Sequence, residues 1–155
     1  MELKELYQEI ILDHAKNPRN QGKCEGYNHD AKAHNPLCGD TVHIYLNLDE
    51  NKMIKDLSFD GEGCAISLAS ASILTDTLKG KDLQFSKLIT KDFLKMLTDK
   101  SKLTLNSLSE DQVTTISSLS GVQAFPMRIK CATMAWHTLM AVSYTHLTLP
   151  TKRIV

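Results

Sequence analysis

Apolar positions recur at helical spacing from the start of the chain. Leu3, Leu6, Tyr7, Ile10 and Ile11 fall on one helix face together with His14, and Asn17-Pro18 ends the run. The next segment, NQGKCEGYNHDAKAHNPLCGD, is rich in Gly, Asn and Pro and reads as loop with a short strand near Tyr27 to Ala33. The period then changes from helical to alternating. In TVHIYLNL, Val42, Ile44, Leu46 and Leu48 occupy one face and His43, Tyr45 and Asn47 the other, as in a half-buried strand. After the polar turn DENK, MIKDLSF supplies a second strand with Met53, Leu57 and Phe59 on one side, so the two form an antiparallel hairpin.

The strand gives out at DGEGC, and the period becomes helical again. Ile66, Ala69, Ile73 and Leu78 mark the buried side of a helix that Gly80 stops, which puts Cys64 at a helix N-terminus. Small residues from Ala65 to Ser72 predict close approach of another backbone. Residues 81 to 108 pattern weakly, with a helix expected only around Asp92 to Leu97. Ser109-Glu110-Asp111-Gln112 forms a capping box for a short helix to about Leu119, closed by Gly121; GVQAFPMR follows as a turn. A last helix runs from Met127 or Arg128 to Val142, with Ile129, Ala132, Ala135, Trp136 and Leu139 inward and Cys131 in its first turn. Strands followed by helices predict an α+β fold: a small antiparallel three-stranded sheet with helices packed on one face. The segment SYTHLTLPTKRIV breaks the helix period, so the expected domain is residues 1–142. Residues 143–155 read as a tail, either a disordered extension or a segment foreign to the domain.

With 155 residues, a hydrophobic fraction of 42% and a charged fraction of 23%, the chain has the length and makeup of one ordinary globular domain. Eighteen basic residues balance eighteen acidic ones, so no global field draws it to nucleic acid or to an anionic membrane. The start lacks the basic n-region and cleavage site of a signal peptide, and no apolar run reaches the ~20 residues of a membrane span. Without an export signal, four cysteines point to metal binding or reactive thiols in the cytoplasm rather than to a disulfide framework.

Three of those thiols have settings that favour the thiolate. Cys38 lies in the turn Pro-Leu-Cys-Gly-Asp, where thiol and carboxylate can converge. Cys64 follows a Gly-rich turn at a positive helix end, and Cys131 is flanked by Arg128 and Lys130. Cys38, Asp40, Cys64 and Cys131 together offer three sulfurs and one oxygen, a zinc-type donor set. Their intervals are not those of a zinc finger, so only tertiary structure could assemble it. The net charge of such a site calls for a cation, and Arg128 and Lys130 are the candidates. Asp40 could equally cap its own turn. Cys24 has no such setting and reads as a bystander, His14 as a core histidine, and His34 is near Cys38 in sequence only.

The segments LYQEIILDHAKNPRN, NPLCGD, DGEGCAIS and RIKCATMAW, in this order and covering about residues 3 to 140, resemble the U-type iron-sulfur cluster assembly family (IscU/NifU N-terminal-like). Within it the chain looks most like the SufU branch. Lys130 stands where IscU-like members place a histidine, and the interval from Cys64 to Cys131 is lengthened by an insertion around residues 98 to 112. The resemblance implies a zinc site made of Cys38, Asp40, Cys64 and Cys131. It also implies that Cys38 accepts persulfide sulfur from a pyridoxal-phosphate cysteine desulfurase and passes it toward downstream iron-sulfur assembly proteins, a sulfurtransferase-like role. Two rivals stand beside this reading. One is a scaffold holding iron or a transient [2Fe-2S] cluster on the same ligands, against which Lys130 argues. The other is an interaction domain in which zinc is purely structural.

Overall fold

The computed structural model describes residues 2–36, 39–99 and 108–148, with residues 143–148 as backbone only. Helix α1 (Leu3–Lys16) is followed by strands β1 (His29–Asn35), β2 (Asp40–Leu48) and β3 (Ile54–Glu62). Then come helices α2 (Ala65–Leu78), α3 (Leu83–Asp99) and α4 (Glu110–Ser117), a 3-10 segment (Ser118–Ala124) and helix α5 (Pro126–Thr148). The sheet is antiparallel in the order β1-β2-β3. Helix α5 packs against β1 and β2, α2 lies between β3, α5 and α1, and α3 rests on α5 and the 3-10 segment. The α+β architecture expected from the strand-then-helix order is the observed one.

The alternation along β2 buries Val42, Ile44, Leu46 and Leu48 against the helices. Its partner strand corrects the reading of MIKDLSF. Asn47 pairs with Asp56 but Leu48 pairs with Ile54, so Lys55 is an extra residue that shifts the inward parity. The bulge sends Ile54, fully buried, into the core with Leu57 and Phe59, whereas Met53 is half-buried and bridges to Asp82.

On the opposite face, Asp30 Oδ2 meets His43 Nε2 at 2.6 Å and His43 Nδ1 meets the Tyr45 hydroxyl at 2.9 Å. Tyr45 is buried despite lying on the polar side of the alternation, because Tyr27 closes over its ring edge-on with centroids 4.9 Å apart.

Helix α2 carries the small-residue face that the sequence predicts. Trp136 Nε1 on α5 donates to Ser70 Oγ at 2.9 Å, and Ser70 Oγ donates to the Ala132 carbonyl of the same helix. The indole also stacks on Phe93 of α3, with centroids 4.3 Å apart. On its other side α2 receives α1, where buried His14 Nδ1 lies 2.8 Å from Ser72 Oγ. Burial depresses the pKa of His14, Arg19 depresses it further, and Asp76 and Asp13 pull the other way.

Helix α3 is 17 residues long, far beyond the Asp92–Leu97 expectation. Leu83, Ser86, Ile89, Thr90, Phe93, Met96 and Leu97 are its buried face, at helical spacing that polar and small members make hard to see. The capping box at Ser109 is present, its side chain accepting from Gln112 N and Gln112 Oε1 accepting from Ser109 N, both at 3.1 Å. The predicted turn after it is instead the 3-10 segment. Helix α5 starts at Pro126, where a first-turn proline loses no hydrogen bond, and continues to Thr148 rather than ending at Val142. Of the tail expected at 143–155, residues 149–155 lie outside the described residues, as do residues 100–107 within the expected insertion.

Candidate metal centre

Three elements deliver the site. Asp40 opens β2, Cys64 is the N-cap of α2, and Cys131 sits on α5. One ligand atom from each of Asp40, Cys64 and Cys131 can be chosen so that all lie within 4.8 Å of one another. Asp40 is 2% exposed, Cys131 is 3% exposed and Cys64 is half-buried. Cys38, the fourth expected ligand, lies outside the described residues.

The first turn of α2 holds the carboxylate. Cys64 N donates to Asp40 Oδ1 at 3.2 Å, the Ser67 hydroxyl donates to Asp40 Oδ2, and Cys64 Sγ stands 3.9 Å from that oxygen and 3.7 Å from Ser67 Oγ. The sequence leaves Asp40 open between metal ligand and cap of its own turn. Its side chain instead reaches across to α2, where it caps the free N-H of that helix while facing both thiols.

Two glycines make the approach possible. A Cβ on Gly61, which has φ +153°, would lie 2.2 Å from the Thr41 carbonyl oxygen of the paired strand, and one on Gly63 would lie 2.8 Å from Asp40 Oδ1. The Gly-rich turn GEGC is therefore needed to seat β2 and its carboxylate against the start of α2.

The thiols are not alike. At Cys64 burial works against the thiolate, but the Ser67 backbone N-H and hydroxyl and the Cys131 thiol outweigh it, leaving the pKa below the ordinary value. Cys131 is pushed up to about 12, by burial first and then by the Asp40 carboxylate and Cys64. The expectation that its setting favours the thiolate is thus corrected for the metal-free chain. Cys131 is the sixth residue of α5 rather than part of its first turn, because the helix starts at Pro126. Its Sγ lies 3.7 Å from the Met127 carbonyl inside the helix.

The flanking cations also differ. Arg128, one helical turn before Cys131, is on the same face, and its own pKa is raised by Cys131 and Cys64. Lys130, one residue before Cys131, is rotated away and lines a separate depression with Lys32, His34 and His137. Among the described residues only Arg128 of the two thus stands where it can offset thiolate charge. Cys24 is half-buried behind the sheet, 3.9 Å from the Tyr45 carbonyl, and burial raises its pKa.

Sequence reading missed Ser67 as part of the site. The available signal was its position, three residues after Cys64 in the opening turn of the helix, where a side chain turns back toward the N-cap.

The donor set suits zinc. Zn-S and Zn-O bonds of ~2.3 and ~2.0 Å in a tetrahedron separate a sulfur from an oxygen ligand by roughly 3.5 Å, so the 3.9 Å between Cys64 Sγ and Asp40 Oδ2 would have to close by a few tenths of an ångström around the ion.

Residues 6–141 match the family model described as NifU-like N terminal domain. The zinc-dependent sulfurtransferase SufU of Bacillus subtilis (strain 168) is 40% identical over 137 residues, covering 88% of each chain. The iron-sulfur cluster assembly scaffold protein IscU of Streptococcus pyogenes serotype M1 is 36% identical, covering 88% of this chain and 82% of its own. Among solved structures, a candidate assembly scaffold for the SUF system from Fervidobacterium islandicum AW-1 superposes with a TM-score of 0.76 at 32% identity, covering 89% of this chain and 96% of its own.

Proposed function

The chain belongs to the NifU-like N-terminal domain family, and we propose that it serves iron-sulfur cluster biogenesis as a zinc-dependent acceptor and carrier of persulfide sulfur. The convergence of Asp40, Cys64 and Cys131 is the observation that carries this reading. Those three and Cys38 would hold the ion. Zinc, when bound, keeps thiols deprotonated at neutral pH and shielded from side reactions. The similarity to a relative named a zinc-dependent sulfurtransferase favours the carrier over the scaffold role.

In the transfer step, the Cys38 thiolate attacks the outer sulfur of the desulfurase persulfide. A new S-S bond forms on Cys38, and the desulfurase cysteine departs as thiolate, so no external oxidant or reductant is needed. Asp40 and Cys64 stay tied to each other through the first turn of α2, and Arg128 offsets the remaining negative charge. The donor would be a pyridoxal-phosphate cysteine desulfurase, and the receivers downstream iron-sulfur assembly proteins. Among the described residues no helix is long and apolar enough to cross a membrane.

Incubation with a cysteine desulfurase and cysteine, followed by intact mass measurement, should show a sulfur adduct on the native chain and none on Cys38→Ala, with both variants equally folded. An undiminished adduct on the variant overturns the assignment. Metal analysis after anaerobic purification separates the rival reading, because stoichiometric zinc fits the carrier and iron with acid-labile sulfide fits a [2Fe-2S] scaffold.

A further inference from the structure

We infer that Ser67 is a positioning residue of the metal centre, fixing the Asp40 carboxylate relative to the Cys64 thiol; this rests on the reading of Asp40 and Cys64 as ligands. Three observations converge on it. The Ser67 hydroxyl touches both groups, donating to Asp40 Oδ2 while lying 3.7 Å from Cys64 Sγ, which itself stands 3.9 Å from that oxygen. Second, Asp40 Oδ1 is held by Cys64 N, so both carboxylate oxygens are gripped from one helical turn and the carboxylate plane has little freedom. Third, the space is shaped around that contact. A Cβ on Gly63 would come within 2.8 Å of Asp40 Oδ1 and 3.1 Å of Ser67 Cβ, so the turn before Cys64 leaves room for the carboxylate and the serine and for nothing more.

The burial of Ser67, only 8% exposed, removes water as a substitute donor. Without the hydroxyl, Asp40 Oδ2 keeps its desolvation cost and loses a charge-assisted partner, and the carboxylate, still held at Oδ1 by Cys64 N, is less firmly fixed at the oxygen that faces the Cys64 thiol. A ligand that must be reordered on binding holds its metal less tightly. Outer donors of this kind commonly change metal affinity by about 10–100-fold.

Zinc is the probe. The metal-free full chain is titrated with zinc in competition with a chromophoric chelator, for the native protein, Ser67→Ala, Ser67→Thr, Asp40→Ala and the Asp40→Ala/Ser67→Ala pair, with far-ultraviolet circular dichroism reporting the fold. The expected result is a Kd raised about 10–100-fold by Ser67→Ala, restored to within a few-fold by Ser67→Thr, and unchanged by Ser67→Ala once Asp40 is already alanine. Cobalt(II) absorption should shift in Ser67→Ala and return in Ser67→Thr, which a change in packing alone would not produce.

A Ser67→Ala affinity equal to the native one overturns the inference, as does a Ser67→Thr protein as weak as Ser67→Ala or a full Ser67 effect without Asp40. Should Ser67→Ala fail to fold, Ser67→Thr decides alone, native-like affinity supporting the hydroxyl and weak affinity overturning it. A native chain that binds no zinc overturns the metal reading itself. Tight native binding indifferent to Ser67 overturns only the positioning role.

Discussion

Helix α2 uses its serines in two different ways. In mid-helix, Ser70 and Ser72 are fully buried, and their hydroxyls join helices: Ser70 takes the Trp136 indole N-H and reaches the Ala132 carbonyl of α5, while Ser72 meets His14 of α1 and accepts Arg19 N. One turn earlier, the Ser67 hydroxyl instead ties a carboxylate to a thiol. The same residue type thus stabilises the fold in one place and ligand geometry in the other, and damage to each should be read by a different measurement.

The largest effect is expected on the core side. Trp136→Ala removes a fully buried indole stacked on Phe93 and leaves a cavity, at a cost of about 3–5 kcal/mol in urea unfolding of the metal-free chain. Ser70→Ala keeps the indole but strands its N-H, for about 1–3 kcal/mol in the same measurement. Either substitution leaving stability unchanged would break the contrast.

Gly63→Ala should invert the pattern. Its Cβ would crowd Asp40 Oδ1, so zinc affinity falls by at least roughly tenfold while unfolding shifts less than for Ser70→Ala. Equal losses of stability would mean that the turn serves the fold rather than the site.

The smallest effect is a pH dependence. The pKa of His14 is lowered in the folded chain, first by burial and then by Arg19, so the native state holds it neutral. The unfolded chain titrates near pH ~6.5. The stability that follows from keeping His14 neutral is complete above that value and is lost as pH falls from there toward the folded pKa, because the unfolded state binds the extra proton. Thermal unfolding of His14→Asn compared with the native chain between pH 7.5 and 5.5 should show a shallower decline in the variant.

What could be read from the sequence depended on whether the physical cause was local. Helix α1, the β2 alternation and the Ser109 capping box depend on neighbours within a few residues, and all appear where expected, although of the α1 stripe only His14 is buried and Leu3 is exposed. The inward parity of β3 did not, because one bulged residue at Lys55 is fixed by pairing with β2 rather than by its own pattern. Helix α3 was underread because Ser86 and Thr90 occupy buried positions on its face.

Asp40, Cys64 and Cys131 were each recognisable by residue type, but their convergence depends on the Gly61 and Gly63 turn pressing β2 against α2. Proximity in sequence misled at Lys130. It adjoins Cys131 in the chain, yet a helix turns adjacent residues apart and brings Arg128 to the thiols instead.

Trp136 is the one tryptophan of the chain, so every photon of indole fluorescence comes from a single known place. It sits on the helix that carries Cys131 and is bonded to the helix that starts at Cys64. A shift of the two helices relative to each other would change the indole's bond to Ser70. The protein therefore contains its own optical gauge of how those helices meet, readable without a dye, a label or a substitution.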